Sequence, residues 1–362
     1  MEGFCRAFDK GLFKASGLNY FEMNRIDHDF LSALGGDLDE GPSWRCLFRN
    51  GNLLVVFRST GAGARRAREL YSPQRLVAKL AVKALLGPLG LWRVLPKIQW
   101  GADPKSLLAV TTGCEGVNAE AILLGNPKHE ARRAIVLGNG KVLKIGESGK
   151  AADFVRKEAH FLKDHGSDLK GVPLPLGYYE EGQGAALSLP HFSDGALSRE
   201  ELVAMTQSWL DDDELAIEQL EGWEMVTGSS RDGAKQVADT CRGISLKSSL
   251  MHGDLAPWNV RMTRAGNPIP IDWEGGRIHA VPGWDLIHYI FQTLVLVERR
   301  SPDDTLTEIM AFLGSPRSQN YLIQAGWQGR ENFLFASYLI AMATEDSHIT
   351  PILERLLNYP TK

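Results

Sequence analysis

Cysteine is scarce and scattered in this chain. Of 362 residues only Cys5, Cys46, Cys114 and Cys241 are cysteines, and no two form a CxxC pair. That spacing offers neither a zinc knuckle nor a disulfide framework, and it fits a reducing, cytoplasmic setting. Long apolar runs are missing as well. Nowhere do the roughly 18 uncharged apolar residues of a membrane span stand together. The opening MEGFCRAFDKGLF carries acidic residues and no extended apolar core, so no secretory leader is expected. A strong excess of one charge is also lacking: the formal net charge is −4, which argues against a nucleic-acid partner. There is no internal repeat and no low-complexity tract. What the chain does have is a 44% hydrophobic content, enough at this length to bury two or three packed units.

Three regions are expected along the chain. Residues 1–104 read as an N-terminal accessory region, with short strand-like runs such as NLLVVFRS followed by a cationic island. In that island Arg65, Arg66, Arg68, Arg75, Lys79, Lys83, Arg93 and Lys97 face the single acid Glu69. Within it PQRLVAKLAVKALL predicts an amphipathic helix that starts at Pro73 and stops at Gly87-Pro88, with Leu76 and Leu80 on one face and Lys79 and Lys83 on another. Residues 65–97 are thus either a solvated basic face or a contact for a membrane surface or other anionic partner. Residues 105–192 carry strand signals in SLLAVTTG, AEAILLGN and RRAIVLGNGKVLKIGE, with a hairpin turn at Gly138-Asn139-Gly140 and a helix over KAADFVRKEAHFLKDHG. Residues 193–362 read as mostly helical, so a small antiparallel β-rich unit precedes a larger α-rich one.

The helix after the hairpin carries a charge on its apolar side. Val155, Glu158 and Leu162 stand at i, i+3 and i+7, so Glu158 should point inward and needs a cation. The preceding strand offers Lys144, which shares a face with Val142 while Leu143 and Ile145 take the other. A strand lysine held by the next helix's glutamate is a device for binding nucleotide phosphates, and Val142 would lie under the adenine. Taken alone, a solvated lysine and a helix-surface glutamate are the commoner fate of such residues. A second cluster lies in LMHGDLAPWN. Asp254 and Asn259 occupy one loop, and VRMTRAGNPIPIDWEGG then predicts a strand, a turn and a second strand that returns Asp272 beside Asn259. Asn259 and Asp272 are suitable oxygen ligands for Mg²⁺, and Asp254 remains for an acceptor hydroxyl. The set is a kit for phosphoryl transfer from ATP.

HGDLAPWN with IDWE, preceded by VLKIG and RKEAHFL, resembles the aminoglycoside phosphotransferase and choline kinase group, from about Leu107 to the C-terminus. The resemblance implies an α+β, protein-kinase-like two-lobed fold, with residues 105–192 as a nucleotide-binding N-lobe, residues 193–362 as a catalytic and acceptor-binding C-lobe, and an extra N-terminal region. It implies a structural role for His252. Asp285 in VPGWDLIHY is either the aspartate that braces the catalytic loop in that group or a plain helix-N-terminal charge. The sequence departs from protein kinases in its nucleotide loop, GNPKHEARRA, which has a single glycine, Gly125, and no GxGxxG. Asp272 and Asp285 also lie too close together for an activation segment, which makes a protein substrate unexpected.

The expected partner is a small-molecule hydroxyl acceptor: an aminoglycoside, a sugar, an amino alcohol or a related metabolite. Two features bear on it, each with a plain alternative. WLDDDELAIEQLEGW is either an acidic surface for a polycation or a helix with a charged first turn and a solvated face. Trp258 and Trp273 either stack on an acceptor or pack beneath the loop. Two other function classes remain open: a catalytically silent nucleotide-binding module, and a membrane-peripheral kinase acting on a lipid-linked or glycan acceptor. The oligomeric state is not encoded in these features.

Overall fold

A computed structural model describes residues 25–35, 41–71, 73, 76–101, 106–125, 132–167, 169, 171–342 and 346–358. The nucleotide loop over 126–131 and Arg75 lie outside the described residues. The chain divides into two units, one of Met1–His160 with Leu174–His191 and the other of Phe161–Pro173 with Phe192–Lys362. The class is α+β.

Among the described residues the first unit is built on one antiparallel sheet of eight strands: β1 Ser43–Arg49, β2 Asn52–Arg58, β3 Lys97–Gln99, β4 Ala121–Leu124, β5 Ala134–Gly138, β6 Lys141–Gly146, β7 Gly177–Glu181 and β8 Gly184–Pro190, in the order β3-β1-β2-β4-β5-β6-β8-β7. The region expected as an accessory therefore supplies three strands of the sheet that carries Lys144. Helix α1 (Arg25–Gly35) belongs to it too. Its Asp27 is fully buried, takes Arg132 Nη2 at 2.6 Å and accepts the Leu53 backbone N–H at 2.7 Å, so α1 is tied to β2 and to the approach to β5.

Strand alternation gives the sheet two apolar faces. Trp44, Val56, Ile122, Val136, Leu143 and Ile145 form one core with Leu31 and Leu34 of α1. Leu47, Val55, Phe57 and Ala121 form the other with α2 (Gly61–Leu70), α3 (Leu76–Leu85) and a 3₁₀ turn at Leu91–Val94. Two local expectations need correction. The stretch SLLAVTTG, expected as a strand, forms helix α4 (Leu107–Cys114). Ser106 Oγ caps it by accepting the Ala109 N–H, and Thr111 and Thr112 satisfy their hydroxyls on carbonyls of the preceding turn. In α3, Leu80, on the apolar face expected from Leu76 and Leu80, is exposed and Val82 is the buried residue, because the sheet takes the opposite side of the helix.

The second unit is mostly helical: α6 (Arg199–Gln207), α7 (Glu224–Thr227), α8 (Ala234–Cys241), α9 (Trp284–Gln292), α10 (Pro302–Leu313), α11 (Pro316–Ala325), α12 (Glu331–Ala341) and α13 (Asp346–Asn358). Helix α5 (Gly149–His165) begins in the first unit and ends in the second. Every residue of α9 is buried, and its Trp284 indole N–H donates to Ser337 Oγ of α12 at 3.0 Å. Two three-stranded sheets carry the motif loops. One has the order β10 (Leu210–Ala216), β11 (Ser245–Met251), β14 (Arg277–Ala280), and the other β13 (Pro268–Pro270), β12 (Val260–Met262), β9 (Ser193–Asp194). The acidic stretch expected as a helix is strand β10, whose exposed edge accommodates Asp211, Asp212 and Asp213 in a register irregularity against β11. No helix among the described residues is long and apolar enough to cross a membrane.

Candidate active site

Lys144 stands in β6 between Ile135 of β5 and Leu187 of β8. The β5–β6 hairpin turns through Asn139 and Gly140, both at positive φ, and this fixes the register so that Leu143 and Ile145 enter the core and Val142 and Lys144 take the other face. At the end of β6 a Cβ on Gly146 would sit 2.4 Å from the Ala151 backbone. Glycine is what lets α5 start so close to the strand. Further along α5, Val155, Glu158 and Leu162 are all buried, and Lys144 Nζ meets Glu158 Oε1 at 2.6 Å and Oε2 at 2.7 Å. The lysine is 3% exposed and the glutamate 0%. Two charges this deep recover part of their desolvation through each other, so the pair fixes where the ammonium sits more than it adds stability. Val142 is half-buried beside it. The next residue after Gly146, Glu147, has an Oε1 with no hydrogen-bond partner among the described residues, and burial pushes its carboxyl up to about 7.

In the second unit β11 ends at Met251 and the chain enters the HGDLAPWN loop. Asp285, in the first turn of α9, holds the start of that loop: its Oδ2 accepts the His252 backbone N–H at 2.5 Å and its Oδ1 that of Gly253 at 3.0 Å. Burial raises the Asp285 pKa, opposed by His252 and the two backbone donors. Of its two sequence readings the brace is the one the geometry supports. Gly253 adopts φ +82°, and a Cβ there would lie 2.7 Å from the Gly275 carbonyl, so the loop rests directly on the turn that follows Asp272. His252 is fully buried. Its Nδ1 accepts the Asp254 N–H at 3.2 Å, which leaves the proton on Nε2 to donate to the Ile271 carbonyl at 2.8 Å. Burial lowers its pKa, so the ring stays neutral and acts as a strut.

Asp254 is 55% exposed on its side chain, yet both carboxylate oxygens are held. Asn259 Nδ2 donates to Oδ2 at 2.8 Å and to the Asp254 carbonyl at 2.9 Å; His288 Nε2 lies 3.0 Å from Oδ1. His288 is buried on α9, and its Nδ1 lies 3.1 Å from the Tyr338 hydroxyl. Burial holds the Tyr338 pKa well above its ordinary value, so the phenol keeps its proton and can donate to Nδ1 while Nε2–H donates to Asp254. Sequence reasoning missed His288. The signal was there: it follows Asp285 by one helical turn and so shares its face.

Asn259 and Asp272 are brought together by the β12–β13 hairpin, in which Val260 opposes Pro270 and the Ile271 N–H donates to the Asn259 carbonyl at 2.8 Å. Asp272 follows at once, in the left-handed region at φ +69°, ψ +57°. An aspartate tolerates that conformation better than most residues. Because the Asn259 amide nitrogen is committed to a carboxylate and a carbonyl, its Oδ1 is turned away from Asp254. The amide oxygen and the Asp272 carboxylate are hard oxygen donors of the kind Mg²⁺ selects, so the residues fit that ion.

Trp273 is fully buried, stacked on Phe161 at 5.3 Å with its indole N–H on the Pro270 carbonyl. Acceptor stacking by Trp273 is therefore excluded, and packing beneath the loop is its role. Trp258 remains half-buried. On β10, Asp211 lines a cavity of about 400 Å³ with Trp209, Leu250 and His279.

No protein-family model and no curated protein sequence matches the chain. Among solved structures it is similar to a thermostable mutant of aminoglycoside phosphotransferase APH(4)-Ia in ternary complex with ADP and hygromycin B, at 13% identity, covering 68% of this chain and 96% of that one with a TM-score of 0.40. It is similar to aminoglycoside phosphotransferase APH(3'')-Id from Streptomyces rimosus ATCC10970 in complex with ADP and streptomycin, at 14% identity, covering 60% and 94% with a TM-score of 0.38. A chain described as a fructosamine-3-kinase from Haemophilus somnus 129PT is similar at 12% identity, covering 68% and 94% with a TM-score of 0.41.

Proposed function

We infer that the protein is an ATP-dependent phosphotransferase acting on a hydroxyl of a small molecule. The observation that carries this reading is the Asp254–Asn259 pair: an exposed carboxylate with fixed oxygens, hydrogen-bonded to an amide whose own oxygen is left for a cation. Lys144, oriented by Glu158, binds phosphate oxygens of the nucleotide, and Val142 contributes to the adenine floor. Asn259 and Asp272 would hold Mg²⁺, which supplies charge neutralisation on the transferred phosphoryl group. Asp254 orients the acceptor hydroxyl and accepts its proton as the oxygen attacks the γ-phosphorus, whose bond to the β,γ-bridging oxygen breaks to release ADP. His288 keeps the Asp254 carboxylate in register for that transfer, and Asp285 and His252 keep the loop in place beneath it.

The acceptor class comprises amino sugars, simple sugars and amino alcohols. Incubating the protein with Mg·ATP and a panel of these, with ADP release as readout, tests the reading, and calorimetry with Mg·ATP tests its first step. ADP release dependent on one acceptor is the expected result. No acceptor-dependent release together with no Mg·ATP binding overturns it.

A further inference from the structure

Nine large hydrophobic side chains stand exposed among the described residues, and five of them fall in one short stretch: Val77, Leu80, Leu89, Leu91 and Val94. Their exposure is high, 78% for Leu89 and 80% for Val94. The stretch runs from α3 through residues 86–90 to the 3₁₀ turn that follows. Val82, Leu86, Trp92 and Leu95, in or just past these elements, enter the same core against β1, β2 and β4. Since the inner sides of the helix and the turn share one core, their outer sides belong to one flank of the first unit. On α3, Val77, Leu80 and Ala84 form a stripe at i, i+3 and i+7, and Lys79 and Lys83 form the neighbouring stripe at i and i+4. All five are exposed. Arg93 within the turn and Lys97 beyond it add two exposed cations. No acidic side chain among the described residues pairs with Lys79, Lys83, Arg93 or Lys97, whereas Arg66 on α2 is answered by Glu69 and Glu120.

An ordinary solvated basic helix carries polar residues beside its lysines. Here the residues beside them are leucine and valine, which bulk water disfavours and which a folded monomer seldom concentrates in one place. We propose that this flank docks on an anionic lipid bilayer surface, with Leu80, Leu89 and Val94 entering the boundary between headgroups and acyl chains and Lys79, Lys83, Arg93 and Lys97 meeting the lipid phosphates. The lysine stems add apolar length beneath their charges. Charge complementarity selects this occupant. A nucleic acid satisfies the cations and leaves five aliphatic side chains in water. A second copy related by a two-fold axis buries the aliphatics and sets each cation near its own like-charged counterparts. A bilayer containing anionic lipid satisfies both sets.

The test is co-sedimentation of the full chain with vesicles of phosphatidylcholine alone and of phosphatidylcholine mixed with phosphatidylglycerol. Binding to the mixed vesicles, weakened by added salt and much lower on phosphatidylcholine alone, is expected. The Leu89→Asp/Val94→Asp double variant should lose it while keeping the parent's thermal unfolding midpoint, since both positions are exposed. Lys79→Ala/Lys83→Ala should weaken binding about 25-fold, from roughly fivefold per basic residue near an anionic surface. The proposal is overturned by no sedimentation with the mixed vesicles, or by equal binding of parent and both variants. It is also overturned if the chain dimerises without lipid and Leu89→Asp/Val94→Asp abolishes the dimer, which would make a second copy the occupant.

Discussion

His288 Nε2 lies 3.0 Å from Asp254 Oδ1, linking a histidine buried on α9 to the exposed carboxylate of the HGDLAPWN loop. With Asn259 on the other oxygen, the carboxylate has a defined plane. His288→Ala removes one of the two restraints and leaves the nucleotide ligands untouched. Turnover should therefore fall by about 10–100-fold, with little change in nucleotide affinity, as expected when a reacting group is left free to misplace by a fraction of an ångström. His288→Gln, which can still donate to Oδ1, should recover part of the loss. Steady-state turnover and Mg·ATP calorimetry on both variants check this; a fall in nucleotide affinity as large as that in turnover would remove His288 from its positioning role.

Asp254 and Asp272 should separate cleanly by substitution. Asp272→Ala removes a carboxylate proposed to ligate the cation, so metal-dependent nucleotide binding should be lost. Asp254→Asn should keep nucleotide bound and stop turnover, because an amide cannot accept the hydroxyl proton. Calorimetry with and without Mg²⁺ distinguishes the two. Equal loss of nucleotide binding in both variants would mean that the ligand and the base are assigned the wrong way round.

The features legible in the sequence are those governed by short-range periodicity. The face shared by Val155, Glu158 and Leu162 follows from helix geometry alone, and the face shared by Val142 and Lys144 from strand geometry; the structure brings Lys144 and Glu158 within 2.7 Å. The hairpin that sets Asp272 next to the Asn259 strand end was readable from its turn residues. What could not be read depends on which neighbour an element meets. Leu80 is as apolar as Val82, and only the presence of the sheet on one side of α3 decides which is buried. Trp273 beside a catalytic motif looks available to a ligand until Phe161, Trp209 and His252 close around it. The joining of β1–β3 to the Lys144 sheet rests on pairings far apart in sequence, such as Val55 with Leu123, and on the Asp27–Arg132 pair. His288 went unnoticed for a different reason: its periodicity was clear, but nothing marked Tyr338 and Asp254 as its neighbours.

The Lys144–Glu158 pair has consequences for both binding and stability. Lys144→Ala should raise the ATP KM and lower kcat, and Glu158→Ala should do the same more mildly, since glutamate acts only through the lysine. The double variant should lose less than the sum, with a coupling energy of about 0.5–3 kcal/mol. Stability should follow a related pattern. Each single substitution leaves one buried charge without its partner and should cost about 3–5 kcal/mol, while replacing both residues by apolar ones of similar size should cost far less. Urea unfolding of the four proteins checks the second statement. Strictly additive effects in both assays would return Glu158 to an independent role.

Glu147 supplies a pH dependence of the fold itself. Its Oε1 has no hydrogen-bond partner among the described residues, and burial raises its pKa from 4.5 to about 7. Between those two values the folded protein holds a proton on Glu147 that the unfolded chain has already released. Stability rises with pH only where the unfolded state binds more protons, so here the contribution has the opposite sign: it falls as pH rises from about 4.5 to about 7 and levels off above. Glu147→Gln keeps the shape of the protonated side chain and cannot ionise. The variant should therefore match the parent in urea midpoint near the acidic end of that window and exceed it at about pH 8, where the parent must either bury a charge or open locally. Because other groups titrate in both proteins, the difference between the two midpoints is the quantity to measure. A difference that stays constant across the window would mean that Glu147 reaches solvent in the folded state and that its pKa is not raised.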